Sequence, residues 1–364
     1  MHHLYKYGSI SAVYLIPESS HRSLRMCVVH PTTRCPSPIS RLTYLNTTHR
    51  SYDSEEYEVV FPGWGDTTNI EFLDESQKVF GRNYDALVEE LLKTPFYQRN
   101  ISLRGAPYDF RRAPHENEKF MSQFKELIEE TYVRNGRRRV VIVAHSMGTM
   151  YTLYFLNLHS QSWKKTYVEA FVSVSGPFGG GSKAMAVIAS GDNLGIPFYP
   201  ALLLRGLLRS FTSYGMFLPD QRLWSQEEPI IITPNANYSV HDIKRFFEDI
   251  GYLIGYDIFL TAKNAFDYLN EPAGVDNVYC FHGTGVPTVQ KAVYKTASSG
   301  MKSFPDQWPR FVYGDGDGTV DLRSLTVCKK WTNVRYVQLP GVDHGAILRD
   351  HRLFALLRKI LRVS

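Results

Sequence analysis

The sequence predicts an α/β fold, a mostly parallel, doubly wound sheet interrupted by one long insertion. Apolar, β-branched runs of strand length alternate with helical patterns over most of the 364 residues. One run, residues 140–143, consists of Val-Val-Ile-Val, as expected for a strand buried on both faces of a parallel sheet. The alternation lapses between about residues 185 and 275, and such a lapse indicates an inserted segment.

Composition and charge exclude several classes of protein. The chain is 43% hydrophobic and 21% charged, which is ordinary for a globular protein and excludes disordered and fibrous classes. No apolar run reaches the roughly 18 residues that a membrane-spanning helix needs. The formal net charge is +5, but the basic runs at 111–112 and 137–139 are short and lack a nucleic-acid-binding motif. We therefore expect no nucleic-acid partner.

The elements of the first half follow in order. Residues 12–17 are a possible strand, and 57–61 is a clearer one because a glycine turn follows it. The glycine-rich residues 176–181 lack the Gly-Lys-Ser/Thr of a phosphate-binding loop, so a nucleotide site there is not favoured. The spacing also predicts helices over 84–92, 120–132 and 151–158, a strand end near 103, and strands over 139–143 and 168–175.

The second half is less regular. Its insertion contains the apolar residues 196–204, followed by Arg205 and Arg209; these suggest either a lipid-facing cap with a basic edge or a cap helix packed on its own domain. Strands are predicted at 278–283, 310–313 and 334–339, with a closing helix over 347–361. The predicted division is 1–55, an atypical N-terminal segment; 56–184, the first part of the core; 185–275, a cap or lid; and 276–364, the second part of the core.

A candidate nucleophile lies between the strand at 139–143 and the helix that follows. Ser146 has the small residues Ala144 and Gly148 two positions away on either side. Small flanks permit the tight strand-to-helix turn of a nucleophile elbow, and the helix N-terminus then favours negative charge at the reacting centre. A chance Ala-x-Ser-x-Gly at a strand end is the alternative, but the strand before and the helix after favour the elbow.

A serine needs a carboxylate and a histidine to become a nucleophile. In doubly wound hydrolases the carboxylate follows the serine along the chain and the histidine comes last. Asp315 and Asp317 both lie in a glycine-rich loop after the strand at 310–313, and the pattern leaves both open. A calcium-binding loop is not favoured, because Val320 and Thr326 occupy the positions where glycine and glutamate belong.

The candidate base is His344, which follows the last predicted strand and precedes the closing helix. Two other histidines are less suitable. His145 is adjacent to the serine, but the strained elbow directs neighbouring side chains apart. His282 also ends a strand, but it precedes the acid in the chain.

The cysteines and the glycosylation sequons indicate which cellular compartment the protein enters. The chain has four cysteines without C-x-x-C spacing, so no zinc site is expected: Cys27, Cys35, Cys280 and Cys328. Asn-x-Ser/Thr sequons stand at Asn46, Asn100 and Asn237. Together these favour a secretory route. The first residues lack the apolar core of a signal peptide, so we expect either a signal removed upstream of this numbering or a truncated start.

Several segments together resemble the family of lysosomal phospholipase A and lecithin:cholesterol acyltransferase, with the phospholipase branch closer. The similar segments are 104–114, 144–148, 150–155, 189–193, 283–287 and 314–320. The resemblance extends from about residue 56 to the end. It implies an α/β-hydrolase core with a cap or lid insertion and a membrane-binding region.

The resemblance also implies an activity. It indicates a serine hydrolase and acyltransferase that cleaves acyl esters of glycerophospholipids without a metal or organic cofactor. The implied partners are a phospholipid membrane surface, the lipid substrate and a lipid alcohol acceptor, in a lysosomal or secreted location. The alternatives are a neutral lipase or carboxylesterase of the same fold, or a pseudoenzyme that binds lipid without turnover. The sequence gives no indication of the oligomeric state.

Individual site residues follow from the resemblance. It places the acid at Asp317 and the base at His344, leaves Asp315 structural, and makes the backbone N–H of Met147 an oxyanion donor. It also pairs Cys280 with Cys328 and puts Asn46 and Asn237 at sequon positions similar to the family's.

The N-terminus departs from the family pattern. Residues 12–17 resemble the remnant of the family's first strand, but Glu18 stands where the family has a glycine. The following lid segment is also far shorter than in the family. The second oxyanion donor is therefore not assigned.

Overall fold

The computed structural model of the chain describes residues 3–6, 14–15, 41–53, 57–61, 63–72, 82–193, 200–297 and 302–362. Glu18, Cys27 and Cys35 lie outside these ranges. The described strands are β1 His3–Lys6, β2 Tyr14–Leu15, β3 Thr43–Leu45, β4 Arg50–Tyr52, β5 Tyr57–Val60, β6 Val140–Ser146, β7 Val168–Val174, β8 Ile231–Ile232, β9 Asn237–Tyr238, β10 Val278–Thr284, β11 Thr288–Val293, β12 Arg310–Gly314 and β13 Val334–Pro340.

The central sheet has five strands in the order β13-β10-β7-β6-β2. Every neighbouring pair in it is parallel. Alternate side chains of β7 enter different apolar clusters, with Phe171 on one face and Val172 on the other. Because both faces are covered, the β-branched runs of the sequence are buried strands, and the predicted mostly parallel, doubly wound sheet is confirmed.

Helices cover both faces of this sheet. One face packs against α3 and α4, and the other against α2 and α11. The apolar spacing explains the choice of face; in α11, for example, Leu353 and Leu357 are buried one turn apart. The described α-helices are α1 Thr68–Glu71, α2 Asp85–Leu92, α3 Glu118–Arg134, α4 Met147–Leu158, α5 Gln161–Tyr167, α6 Ser182–Ser190, α7 Ala201–Arg209, α8 Ile243–Asp249, α9 Leu253–Ala265, α10 Leu322–Leu325 and α11 His351–Leu361. Among the described residues, none of the helices is long and apolar enough to cross a bilayer.

A second, four-stranded sheet has the order β12-β11-β8-β9 and was not expected from the sequence. Its β12 runs antiparallel to β11, whereas β8, from the insertion, pairs parallel with β11. The strands β8 and β9 have two residues each, too few to produce a recognisable alternation. This sheet joins the insertion to the C-terminal part of the chain; the domain boundaries themselves remain a prediction.

Two local expectations were wrong. Leu103 does not end a strand, because it forms only an isolated bridge with Arg99. The closing helix begins at His351 rather than near 347, since a separate 3₁₀ turn covers Ala346–Arg349. The side chain of Asp350 accepts the backbone N–H of Arg352 at 2.8 Å and so caps the helix.

Of the two interpretations of the cap, the contacts of its two arginines favour the helix packed on its own domain. Arg205 forms an ion pair with Asp306 at 2.7 Å. Arg209 donates to the carbonyl oxygen of Ile188 at 2.8 Å, and its guanidinium lies 4.9 Å from the ring centroid of Tyr252. Both cations are therefore used within the protein.

A disulfide joins Cys280 in β10 to Cys328, and both residues are buried. The two cysteines are 48 positions apart in the chain, and their Cα atoms are 6.4 Å apart. The bridge ties the central sheet to the segment that follows the acid loop.

Removing this bridge should lower stability substantially. In the chain-entropy model a loop of this length contributes about 4 kcal/mol. We expect the double substitution Cys280→Ala, Cys328→Ala to lower the free energy of unfolding by that order, as measured by urea denaturation. Peptide mapping of the unreduced wild-type protein should recover the two cysteines linked; finding both as free thiols would contradict the bridge.

Candidate active site

Ser146 occupies a strained turn between β6 and α4. It is the last residue of β6, and α4 begins at Met147. Its φ of 52° and ψ of −129° lie outside the regions that L-residues ordinarily adopt, and such strain is typical of functional sites. Fully buried Ala144 allows the close packing that the turn needs. The turn has the form of the predicted nucleophile elbow.

The structure brings together the three residues that the sequence singled out for catalysis. The Oγ of Ser146 lies 2.8 Å from Nε2 of His344, and Nδ1 of His344 lies 2.7 Å from Oδ2 of Asp317. Because a carboxylate only accepts hydrogen bonds, Nδ1 carries the proton, and Nε2 accepts the hydrogen bond of the serine hydroxyl. Ser146, His344 and Asp317 are 6%, 3% and 0% exposed.

Backbone groups hold Asp317 in its charged form. The N–H groups of Thr319 and Val320 donate to its Oδ1 at 3.1 Å and 2.8 Å, which leaves Oδ2 for His344. Burial by itself raises the pKa of Asp317, but the neighbouring His344 and the two N–H groups outweigh burial, so the pKa lies below its ordinary value. The backbone N–H of His344 also donates to the carbonyl oxygen of Asp317 at 2.7 Å.

Asp315 lies elsewhere in the same loop. It is exposed, and its Oδ1 accepts the backbone N–H of Gly285 at 2.7 Å and the hydroxyl of Thr284 at 3.2 Å. These bonds brace the turn after β10. Asp317, rather than Asp315, therefore contacts His344.

The other two candidate histidines have different contacts. His282 is buried between the carbonyl oxygen of Gly283 and the hydroxyl of Tyr336, each at 2.7 Å. His145 is also buried, and its Nε2 lies 2.7 Å from the carbonyl oxygen of His344. The sequence presents His145 only as a candidate base, and no pattern in the sequence predicts its contact with His344.

One of the two expected hydrogen-bond donors of the oxyanion site lies among the described residues. Met147 is the first residue of α4, so its N–H has no partner within the helix and can donate to a negative charge at the reacting centre. On the other side β2 pairs with β6, with Leu15 opposite Ser146. The residues after Leu15, from which a second donor is expected, lie outside the described residues.

The sequon asparagines are all exposed: Asn46, Asn100 and Asn237. The side chain of Asn100 is engaged in the folded chain, since its Nδ2 donates to Asp66 at 3.2 Å. Glycosylation of the three remains a prediction.

Asp321, a buried carboxylate four positions after Asp317, has no recognisable signal in the sequence. Its two oxygens accept the backbone N–H of Ser182 at 2.8 Å and the Ser182 hydroxyl at 3.0 Å. It thus ties the acid loop to the start of α6. Burial raises the pKa of Asp321 to about 6, although the bonds from Ser182 oppose the increase.

This raised pKa predicts a pH-dependent effect of Asp321→Asn. The folded protein binds the proton more tightly than the unfolded chain, whose ordinary Asp pKa is 3.8. The protonated Asp321 therefore adds about 3 kcal/mol to the free energy of unfolding at low pH. This contribution is lost as the pH rises through about 6. Because asparagine resembles the protonated acid, the variant should compare more favourably with wild type at pH 7.5 than at pH 4.5. Thermal unfolding at both pH values measures this; an equal difference in Tm at both would contradict it.

The chain is similar to proteins of one known family. The family model described as lecithin:cholesterol acyltransferase matches residues 38–270 and 261–349. The lysosomal phospholipase A and acyltransferase of Rattus norvegicus is 40% identical over 326 residues, which cover 88% of this chain and 76% of that protein. The Homo sapiens protein of the same name has the same identity and coverage.

A second group of relatives is somewhat more distant. The phosphatidylcholine-sterol acyltransferase of Gallus gallus is 36% identical over 311 residues, which cover 84% of this chain and 72% of that protein. These matches confirm the resemblance drawn from the sequence segments. Together with the parallel sheet and the elbow, they show that the chain is an α/β-hydrolase that belongs to the lecithin:cholesterol acyltransferase family.

Proposed function

We propose that this protein is a serine-dependent phospholipase A and O-acyltransferase. It cleaves fatty acyl esters of glycerophospholipids and transfers the acyl group to water or to a lipid alcohol. The observation that carries the proposal is the continuous hydrogen-bonded chain from Ser146 through His344 to Asp317. Relatives at 40% identity that are named lysosomal phospholipase A and acyltransferase support the substrate class.

The first half-reaction forms an acyl-serine. Nε2 of His344 takes the proton of the Ser146 hydroxyl while Oγ attacks the ester carbonyl carbon, and the carbonyl oxygen becomes negative. The carboxylate of Asp317 stabilises the positive charge that develops on His344. The tetrahedral intermediate then collapses, the ester C–O bond breaks, and His344 gives its proton to the departing lysophospholipid alcohol.

The second half-reaction releases the acyl group. Water or a lipid alcohol gives a proton to His344 and attacks the acyl-Ser146 carbonyl. Collapse of the new tetrahedral intermediate returns the proton to Oγ of Ser146 and frees a fatty acid or an acylated alcohol. All of these proton transfers use side chains of the chain itself, so the scheme needs no metal or organic cofactor.

One of the two donors that stabilise the oxyanion is assigned to a residue. The N–H of Met147 donates to the negative oxygen, and the N-terminus of α4 adds a favourable dipole. A second donor is typically worth on the order of a hundred- to a thousand-fold in rate. We expect that donor from the residues after Leu15.

The substrate also suggests where the protein acts. We propose a phospholipid membrane surface as the site of action, because glycerophospholipids are presented there. We propose a lysosomal or secreted location. The disulfide is compatible with either, and the names of the relatives at 40% identity support the lysosome.

Vesicle turnover tests the proposed function. Phosphatidylcholine vesicles with and without a lipophilic alcohol should yield free fatty acid and, with the alcohol, its acyl ester. Ser146→Ala should yield neither, whereas the exposed-site control Ser162→Ala should match wild type. Turnover of triacylglycerol or soluble esters alone would favour the neutral lipase or carboxylesterase. Vesicle binding without turnover of any ester would favour the pseudoenzyme.

A further inference from the structure

His145, the residue directly before the nucleophile, contacts the candidate base from a second side. It is fully buried. Its Nε2 lies 2.7 Å from the carbonyl oxygen of His344, 199 positions later in the chain. The centroids of the two imidazole rings are 4.8 Å apart.

The chemistry of this contact fixes the direction of the bond. A carbonyl oxygen only accepts, so Nε2 of His145 carries the proton and donates it. Adjacent residues of β6 therefore contact His344 at two points: Ser146 reaches its ring and His145 its main-chain carbonyl. The backbone N–H of His344 is held separately by the carbonyl oxygen of Asp317 at 2.7 Å.

We propose that His145 is a positioning residue that holds the backbone and ring of His344 so that Nε2 of His344 faces the Ser146 hydroxyl. The inference rests on the proposed function, because positioning matters only if His344 acts as the base. It adds a role for a histidine that is not itself the base. A base displaced by about 1 Å can lose on the order of a hundred-fold in rate.

The electrostatics of His145 suit this role. Burial, and then repulsion from His344, lower the pKa of His145 to about 3. The ring of His145 is therefore neutral at neutral and mildly acidic pH. A second cation at this distance would oppose the imidazolium that forms on His344, whereas a neutral donor does not.

Matched variants test the proposal. His145→Met removes the donor with similar bulk, and His145→Gln retains a donor at similar reach. The control is His159→Met, because His159 also gives a ring N–H to a carbonyl oxygen, that of Phe155 at 2.8 Å, but at the far end of α4. Should His145→Met fail to fold, His145→Asn, whose amide is one bond shorter than that of Gln, replaces it.

The expected result is a loss in kcat rather than in KM. For a soluble ester, His145→Met should lower kcat by about 10- to 100-fold with KM within about two-fold. Labelling of Ser146 by a fluorophosphonate should slow by a similar factor. His145→Gln should recover most of the rate, and His159→Met should match wild type. Wild-type kcat in folded His145→Met would overturn the proposal.

A spectroscopic readout separates this proposal from the proposed function. The Nδ1–H of His344, bonded to Asp317, should give a downfield proton resonance in the wild-type protein. It should shift or broaden in His145→Met and stay in place in His159→Met, whether or not any ester is turned over. An unchanged resonance in His145→Met would show that His145 does not position the ring. A different outcome would overturn the proposed function alone. In it, the fluorophosphonate does not label Ser146 of the wild-type protein, but the resonance still shifts or broadens in His145→Met.

Discussion

Replacing Ser146 with alanine should abolish fluorophosphonate labelling and lower turnover by on the order of a million-fold. The loss is large because the three residues act as a unit, so His344 and Asp317 have no nucleophile to activate once the hydroxyl is gone. Loss of one oxygen atom at a 6% exposed site should leave the fold intact. The measurement is kcat on phosphatidylcholine vesicles, with the thermal unfolding of both proteins compared.

Ser162→Ala is the matched control, since Ser162 is an exposed serine in α5, away from the elbow. It should retain both labelling and turnover. Appreciable labelling of Ser146→Ala, with the reagent recovered on another residue, would show that the nucleophile has been misassigned.

Replacing Asp317 with asparagine should lower kcat by about ten-thousand-fold. In the folded protein the carboxylate accepts a hydrogen bond from Nδ1–H of His344, whereas an amide group turned to donate there would favour the wrong tautomer. The effect should fall on kcat more than on KM, because Asp317 is fully buried behind His344 and acts through it.

Asp315→Asn provides the comparison within the same loop. Asp315 is exposed and accepts its bonds from Gly285 and Thr284, so its replacement should cost less than about ten-fold in kcat and a modest amount of stability. If Asp315→Asn proves to be the crippling change, Asp317 is not the acid, and the contact with His344 has no catalytic meaning.

The elbow could be predicted from the sequence because all of its determinants are local. A β-branched strand, the small residue Ala144 and a helical pattern lie within about fifteen positions of Ser146, and short-range sterics then define the turn. The choice of acid was different. Asp315 and Asp317 have nearly the same glycine-flanked neighbourhood, so the pattern left both open and only the family resemblance separated them.

Several features depended on contacts too distant in the chain for any pattern to reveal. The sequence left open whether Arg205 and Arg209 form a basic, lipid-facing edge or belong to a packed cap helix; in the structure their partners are Asp306 and the carbonyl oxygen of Ile188. The second sheet takes two of its four strands, β8 and β9, from two-residue segments that have no periodicity of their own. In each case the bonding partner of a side chain or strand belongs to a segment that only folding brings near.

Local patterns were sufficient for the strands of the central sheet, the helices that cover it, the nucleophile and the position of His344, because burial imposes a period on each of these elements and the hydrolase order follows the chain. Only the tertiary structure decided which group holds the main-chain carbonyl of His344 and how Asp317 reaches its ring. The carbonyl meets His145 because the parallel strands of the central sheet bring their carboxyl ends to one edge, however far apart they lie in the chain. The ring meets Asp317 because the loop after β12, a strand of the second sheet, lies against the segment that follows β10, where Val286 forms a bridge with Asp317. Hydrogen bonds formed at such an edge depend on distances in space, and no spacing along the sequence encodes them.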